Sequence, residues 1–158
     1  GNEILVHAMN DTAETVLLPV KLGYARFDGT ASHLENKILE LPPRFRGVAA
    51  AFPAGEDDLL EGAYCALAEG GKTAVLRSAD TVRLRLPEPR VEIFSQQDDG
   101  PDLLVDLKAS AYAHGVHFDL SAPADDLYFD MLPGERRAVR LCGLAGQRVT
   151  ALCVTAKT

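Results

Sequence analysis

At 158 residues the chain is long enough for one ordinary domain or two small ones and falls short of a (β/α)8 barrel, which needs about 250. Lys and Arg number 16 against 23 Asp and Glu, a net charge of −7 shared by both halves, which argues against the clustered positive charge of a nucleic-acid binder. No apolar run approaches the roughly 20 residues of a membrane-spanning helix, and no leader peptide is visible at the start.

Short alternating runs punctuated by turn residues predict an all-β architecture. Ile4, Val6 and Ala8 alternate in a first strand, and Asn10, Asp11 and Thr12 turn the chain. Val16, Leu18, Val20, Leu22 and Tyr24 then share one face of a long strand, with Lys21 on the other. Asp28 and Gly29 make the next turn, and residues 38–41 another strand. Residues 56–68 carry Leu59, Leu60, Ala63, Tyr64, Leu67 and Ala68 at helical spacing, so periodicity alone predicts a helix there. In Leu86-Pro87-Glu88-Pro89-Arg90 two prolines remove backbone donors and stiffen the connection, which sets a domain boundary between residues 1–88 and 89–158.

Beyond that boundary Leu103, Val105, Leu107, Ala109 and Ala111 alternate with Asp106, Lys108 and Ser110. Val116, Phe118 and Leu120 alternate with His117 and Asp119, and the two runs are expected to pair around residues 113–115. Leu132-Pro133-Gly134-Glu135 places Pro where φ must sit near −65° and Gly where it must be positive, the pattern of a type II turn. A strand follows with Val139 and Leu141 on one side and Ala138 and Arg140 on the other. The last strand is expected over residues 149–156.

Candidate chemistry is sparse. His114 and His117 stand three apart, which on a regular strand points them to opposite faces, so they share a metal only if Gly115 bulges; surface histidines flanking a hairpin are the plainer reading. His7 and His33 lack nearby companions. Asp57-Asp58, Asp98-Asp99 with Asp102, and Asp125-Asp126 lie beside turns, where Asp bonds the local backbone, and none has calcium-loop spacing. Arg83 and Arg85, and Arg136, Arg137 and Arg140, read as solvated strand faces. No serine lies in a GxSxG elbow and no glycine-rich phosphate loop occurs. Cys65, Cys142 and Cys153 read as small, mostly buried residues of a reducing compartment: a hairpin closed by residues 143–146 would set Cys142 opposite Gln147 and Cys153 opposite Arg136, keeping the thiols apart. Cytoplasm is therefore favoured, with a periplasmic or secreted setting left open. Sugar binding depends on exposed aromatic faces; the chain has no Trp, and Tyr24, Tyr112, Phe118 and Phe129 fall on core faces or turns, which disfavours it.

The run Asp126-Leu127-Tyr128-Phe129-Asp130-Met131-Leu132-Pro133-Gly134-Glu135 resembles the DNYFDLLPGE signature near the C-terminus of β-mannosidase-type enzymes of glycoside hydrolase family 2. Leu127 departs from it, standing where the family has an amide. Residues 67–93 are similar to the segment joining the last two accessory sandwiches of those enzymes, and the turn at Asn10 to the start of the penultimate one. The resemblance implies two immunoglobulin-like antiparallel β-sandwiches in tandem, packed against a catalytic barrel that this chain does not hold. In this reading Asp126, Tyr128, Phe129, Asp130, Pro133 and Gly134 are structural motif positions, no residue is catalytic, and no metal or cofactor is expected. The expected partners are the barrel and the other domains of a parent enzyme that releases terminal β-linked mannose with retention. It further implies a brief helical turn over residues 57–60, a strand from about Gly62 and a hairpin at residues 69–72; the strand is preferred, because a lone amphipathic helix fits poorly among short strands. The competing reading is an independent module that binds carbohydrate or protein.

Overall fold

The structure, a computed structural model, describes residues 2–68 and 73–155. All of its regular elements are strands: β1 Glu3–Met9, β2 Val16–Arg26, β3 Ser32–Leu41, β4 Arg46–Pro53, β5 Gly62–Ala68, β6 Thr73–Leu76, β7 Arg90–Asp99, β8 Asp102–Ala111, β9 Ala113–Val116, β10 Phe129–Met131 and β11 Arg136–Leu141. Every pairing between them is antiparallel. The protein is all-β, and among the described residues no helix is long and apolar enough to cross a membrane.

In the first half a four-stranded sheet, ordered β3-β2-β5-β6, faces the two-stranded sheet β1-β4. Alternation sets the faces, since every second residue of β2 points inward. Val20 and Leu22 of β2 with Leu39 and Leu41 of β3 meet Val6, Ala8, Ala49 and Phe52 from the opposite sheet. Asn10 shapes the entry to β2. Only 4% exposed, its amide donates to the carbonyls of Glu14, Leu41 and Pro42 while its Oδ1 accepts from Thr12, an Asx turn that satisfies buried backbone carbonyls. Asp28 does the same on the surface, accepting from the Thr30 amide and hydroxyl in the turn before β3. The strand reading of residues 62–68 holds: Gly62–Ala68 pairs with β2 on one side and β6 on the other. The hairpin expected at residues 69–72 lies outside the described residues.

In the second half a three-stranded sheet, β11-β8-β7, and a short ribbon, β10-β9, enclose a separate core. Leu103, Val105, Leu107 and Ala109 of β8 fill it with Val116, Phe129, Met131, Val139 and Leu141. Two expectations fail here. The runs on either side of Tyr112 do not form a hairpin: β8 pairs with β7 and β11, β9 pairs with β10, and the chain changes sheets at Tyr112. The reason is that Tyr112 is buried between the halves and its amide donates to the Phe27 carbonyl, so the backbone is drawn away from β8. Nor do the described residues 149–155 of the expected last strand, 149–156, form one. Its described part is tied down by one bridge, Cys153 to His117, and by Gln96, whose side chain pairs with the Val149 backbone at both ends. The 143–146 hairpin is absent with it, and Cys142 lies exposed instead of buried; all three thiols are free.

A third cluster lies where the halves meet. Phe27, Cys65 and Leu84 from the first half pack on Tyr112 and Leu132 from the second, with the Phe27 and Tyr112 rings 4.6 Å apart. Arg85, expected on a strand, follows a turn and pairs with Glu61.

Candidate functional site

Beside that junction a set of polar side chains converges, many of them from residues 125–137. The Pro133-Gly134 turn forms as the residue types dictate: Gly134 has φ +82° and the Glu135 amide donates to the Leu132 carbonyl at 3.0 Å. By reversing the chain it sets Asp130 on one side and Glu135 on the other.

Asp130 is a hub. One oxygen accepts from the Tyr112 hydroxyl at 2.8 Å and from Arg77 at 2.8 Å; the other lies 2.6 Å from His114 Nδ1 and 3.2 Å from the Gly115 amide. Because a carboxylate only accepts, the ring N–H that meets Asp130 is on His114 Nδ1, and the Arg77 guanidinium stands 3.0 Å from the same nitrogen. Arg77 stands on the far side of residue 88, so this cluster joins β10 and β9 to the segment after β6. A bulge in β9 makes the geometry: Phe129 pairs with Val116 but Met131 with Ala113, leaving one extra residue on β9 beside His114. Burial raises the Tyr112 phenol well above its usual pKa, and the negative charge of Asp130 pushes in the same direction. The phenol therefore stays a donor.

Glu135 and Arg137 form a second, more buried pair, 7% exposed each. Glu135 accepts from Arg137 at 2.9 Å, from the Leu132 amide at 2.9 Å and from Thr73 Oγ1 at 2.7 Å. Arg137 reaches on to Asp126 at 2.8 Å and lies 4.5 Å above the Phe129 ring. Arg137 is thus no solvated face residue. It occupies an inward position of β11, where Glu135 and Phe129 compensate its burial. Arg136 stays outside, over the half-exposed Phe94 ring.

Tyr128 is the outlier. It is a non-glycine residue in the left-handed region, φ +58°, and its side chain is 66% exposed. Its ring stacks on His117 at 4.5 Å and 27°. His117 is itself held, with Nδ1 2.9 Å from the Gly115 carbonyl and its backbone bridged to Cys153. His114 and His117 are therefore partners of Asp130 and Tyr128, not hairpin-flanking surface residues. The six motif positions fall in one stretch of chain with four fates. Asp126 and Asp130 bind arginines, Phe129 is core, Tyr128 is exposed, and Pro133 and Gly134 make the turn. Sequence reasoning missed Arg77, Tyr112 and His114 as their partners.

Thr73, Val75, Arg77, His114, Asp125, Asp126, Tyr128, Phe129, Asp130 and Arg137 line an open cleft of about 580 Å3. A wider one of about 700 Å3 lies beside Lys21, Lys37, Ile38 and Arg136, but its one carboxylate, Glu135, is committed to the contacts above. Among the described residues no group of three His, Cys, Asp or Glu is placed to hold a metal ion.

No family profile matches the chain, and no curated protein matches it by sequence. Among solved structures, β-D-mannosidase from Dictyoglomus thermophilum matches 97% of this chain with a TM-score of 0.76 at 17% identity. The fold is that of a piece of a β-D-mannosidase. The match takes in 20% of the mannosidase chain, so this chain spans about a fifth of the length of the protein it resembles. At that identity the likeness is one of fold, and it covers both halves of the chain together.

Proposed function

We propose that the chain is a non-catalytic, C-terminal β-sandwich region of a family 2 glycoside hydrolase of the β-mannosidase type, and that it supports a catalytic barrel carried elsewhere in the parent enzyme. Residues 1–88 and 89–158 are its two immunoglobulin-like sandwiches. The observation that carries this reading is the fold shared with a fifth of a β-D-mannosidase along nearly the whole chain. The chemistry of the junction agrees with it. Retaining hydrolysis needs two carboxyl groups about 5 Å apart that are free to protonate a leaving group and to attack carbon. Here Asp130 and Glu135 are each engaged by several donors whose evident effect is to hold the chain in place.

The partners are then the other domains of the parent. Leu120 and Leu127, both exposed, the latter next to Asp126 in sequence, provide apolar points suited to such docking. Three free thiols favour the cytoplasm as the compartment. The second reading, an independent binding module, is favoured by one observation, the exposed and backbone-strained Tyr128.

Incubated with an aryl β-mannoside, the purified chain should release no phenol above the blank. The parent enzyme truncated of these residues should melt at a lower temperature than the intact enzyme. Turnover by the isolated chain, or an unchanged melting temperature in the truncated parent, overturns the proposal.

A further inference from the structure

The cleft beneath Tyr128 has features that a purely structural junction does not need. A tyrosine held at positive φ costs conformational energy, and such residues persist where the surroundings fix them for a purpose such as clamping a ligand. Its ring is not loose. It lies on His117, which is anchored to the Gly115 carbonyl and to Cys153, so a flat aromatic face is presented to solvent in one orientation.

The polar groups around it are incompletely used. Asp126 gives one oxygen to Arg137 and Asp125 gives one to the Arg140 amide, while their other oxygens have no partner among the described residues. His114 bonds through Nδ1, and its Nε2 has no partner among the described residues. All three residues line the same cleft of about 580 Å3, a size within the range of small-molecule sites. The cleft thus offers acceptors beside an aromatic face. Two cations, Arg77 and Arg137, stand in it and disfavour a cationic ligand, and three aspartates disfavour an anion. What fits acceptors, a stacking face and balanced charge is an uncharged molecule rich in hydroxyl donors with one apolar side.

We propose that this cleft binds a pyranose sugar, with the C–H face of the ring on Tyr128, its hydroxyls donating to Asp125 and Asp126, and one of them meeting His114 Nε2. Tyr128 is the platform, His117 positions it, and Asp130 fixes the orientation of the His114 ring. The site lies wholly within this chain, so it stands whether or not the chain belongs to a mannosidase.

The test uses the 158-residue chain and a panel of methyl β-D-pyranosides, manno, gluco, galacto and N-acetylglucosamino, followed by calorimetry and by chemical shifts of the tyrosine rings. Saturable binding of at least one sugar is expected, with Tyr128 shifted. Tyr128→Phe should keep binding; Tyr128→Asn, which suits the backbone conformation, should weaken it about tenfold or more while the melting temperature holds. If no sugar of the panel saturates, or if Tyr128→Asn binds as the parent chain does, the proposal falls.

Discussion

Gly23 and Gly134 show how far a single Cβ depends on its surroundings. Both have positive φ, +146° and +82°. At Gly134 an added Cβ meets nothing within 4 Å, so Gly134→Ala should cost only the conformational term, about 1 kcal/mol in urea unfolding. At Gly23 the same atom would lie 1.9 Å from the His33 carbonyl oxygen on the paired strand. Gly23→Ala should therefore be far more damaging, with a melting temperature well below that of Gly134→Ala. The Gly134 turn is legible from Pro-Gly spacing alone. The Gly23 requirement is not, because the clash comes from β3 and not from neighbours in sequence. Cys65 gives a pH prediction. Burial lifts its thiol from 9.0 to about 12, with Glu135 adding to the shift. The folded state then holds a proton that the unfolded state releases, so stability is fully present below pH 9 and is lost as pH rises from there towards 12. Denaturant midpoints between pH 8 and 11 should fall, and Cys65→Ala should flatten that fall.

Strands whose apolar residues strictly alternate were readable, and those shaped by tertiary contacts were not. β8 and β11 bury every second residue, and β2 does so as far as Leu22, as the alternation of Val105 with Asp106, Val139 with Ala138 and Val20 with Lys21 requires. β4 carries three consecutive alanines and gives little period-two signal. Among the described residues, 142–155 alternate yet stay outside the sheets, because the outer edge of β11 is taken by residues 123–125: Asp125 donates to the Arg140 carbonyl and Cys142 to that of Pro123. Arg137 shows the same limit inside a strand. Its place in the alternation marks it inward, whereas its charge makes it read as outward; Glu135, two residues away across the turn, resolves the conflict. Arg137→Met should destabilise by about 3 kcal/mol in chemical denaturation, since Glu135 would be left buried without its counter-ion. Arg136→Met, on the exposed face, should change stability by less than about 0.5 kcal/mol.

At the scale of the whole molecule, the two cores are joined by a third built from both halves. Phe27 is fully buried there against Tyr112. Phe27→Ala should cost about 3–5 kcal/mol. Calorimetry of that variant should resolve two transitions where the parent chain shows one, because the cavity falls on the surface that couples the halves. The site at this junction was the least legible part of the chain. Arg77 and Asp130 lie 53 positions apart, and Tyr112 and His114 flank a sheet change that alternation does not register. What sequence does hold is the stretch from Asp126 to Gly134, whose turn and aromatic pair are local. The exchange of Tyr112 and Leu132 into the neighbouring half has a practical result for anyone cutting this protein apart. A break at the two prolines would leave one piece with an uncorked hollow and the other with a greasy peg in water. Such fragments should clump when made alone, so the pair must be cloned, grafted or swapped between proteins as one cassette.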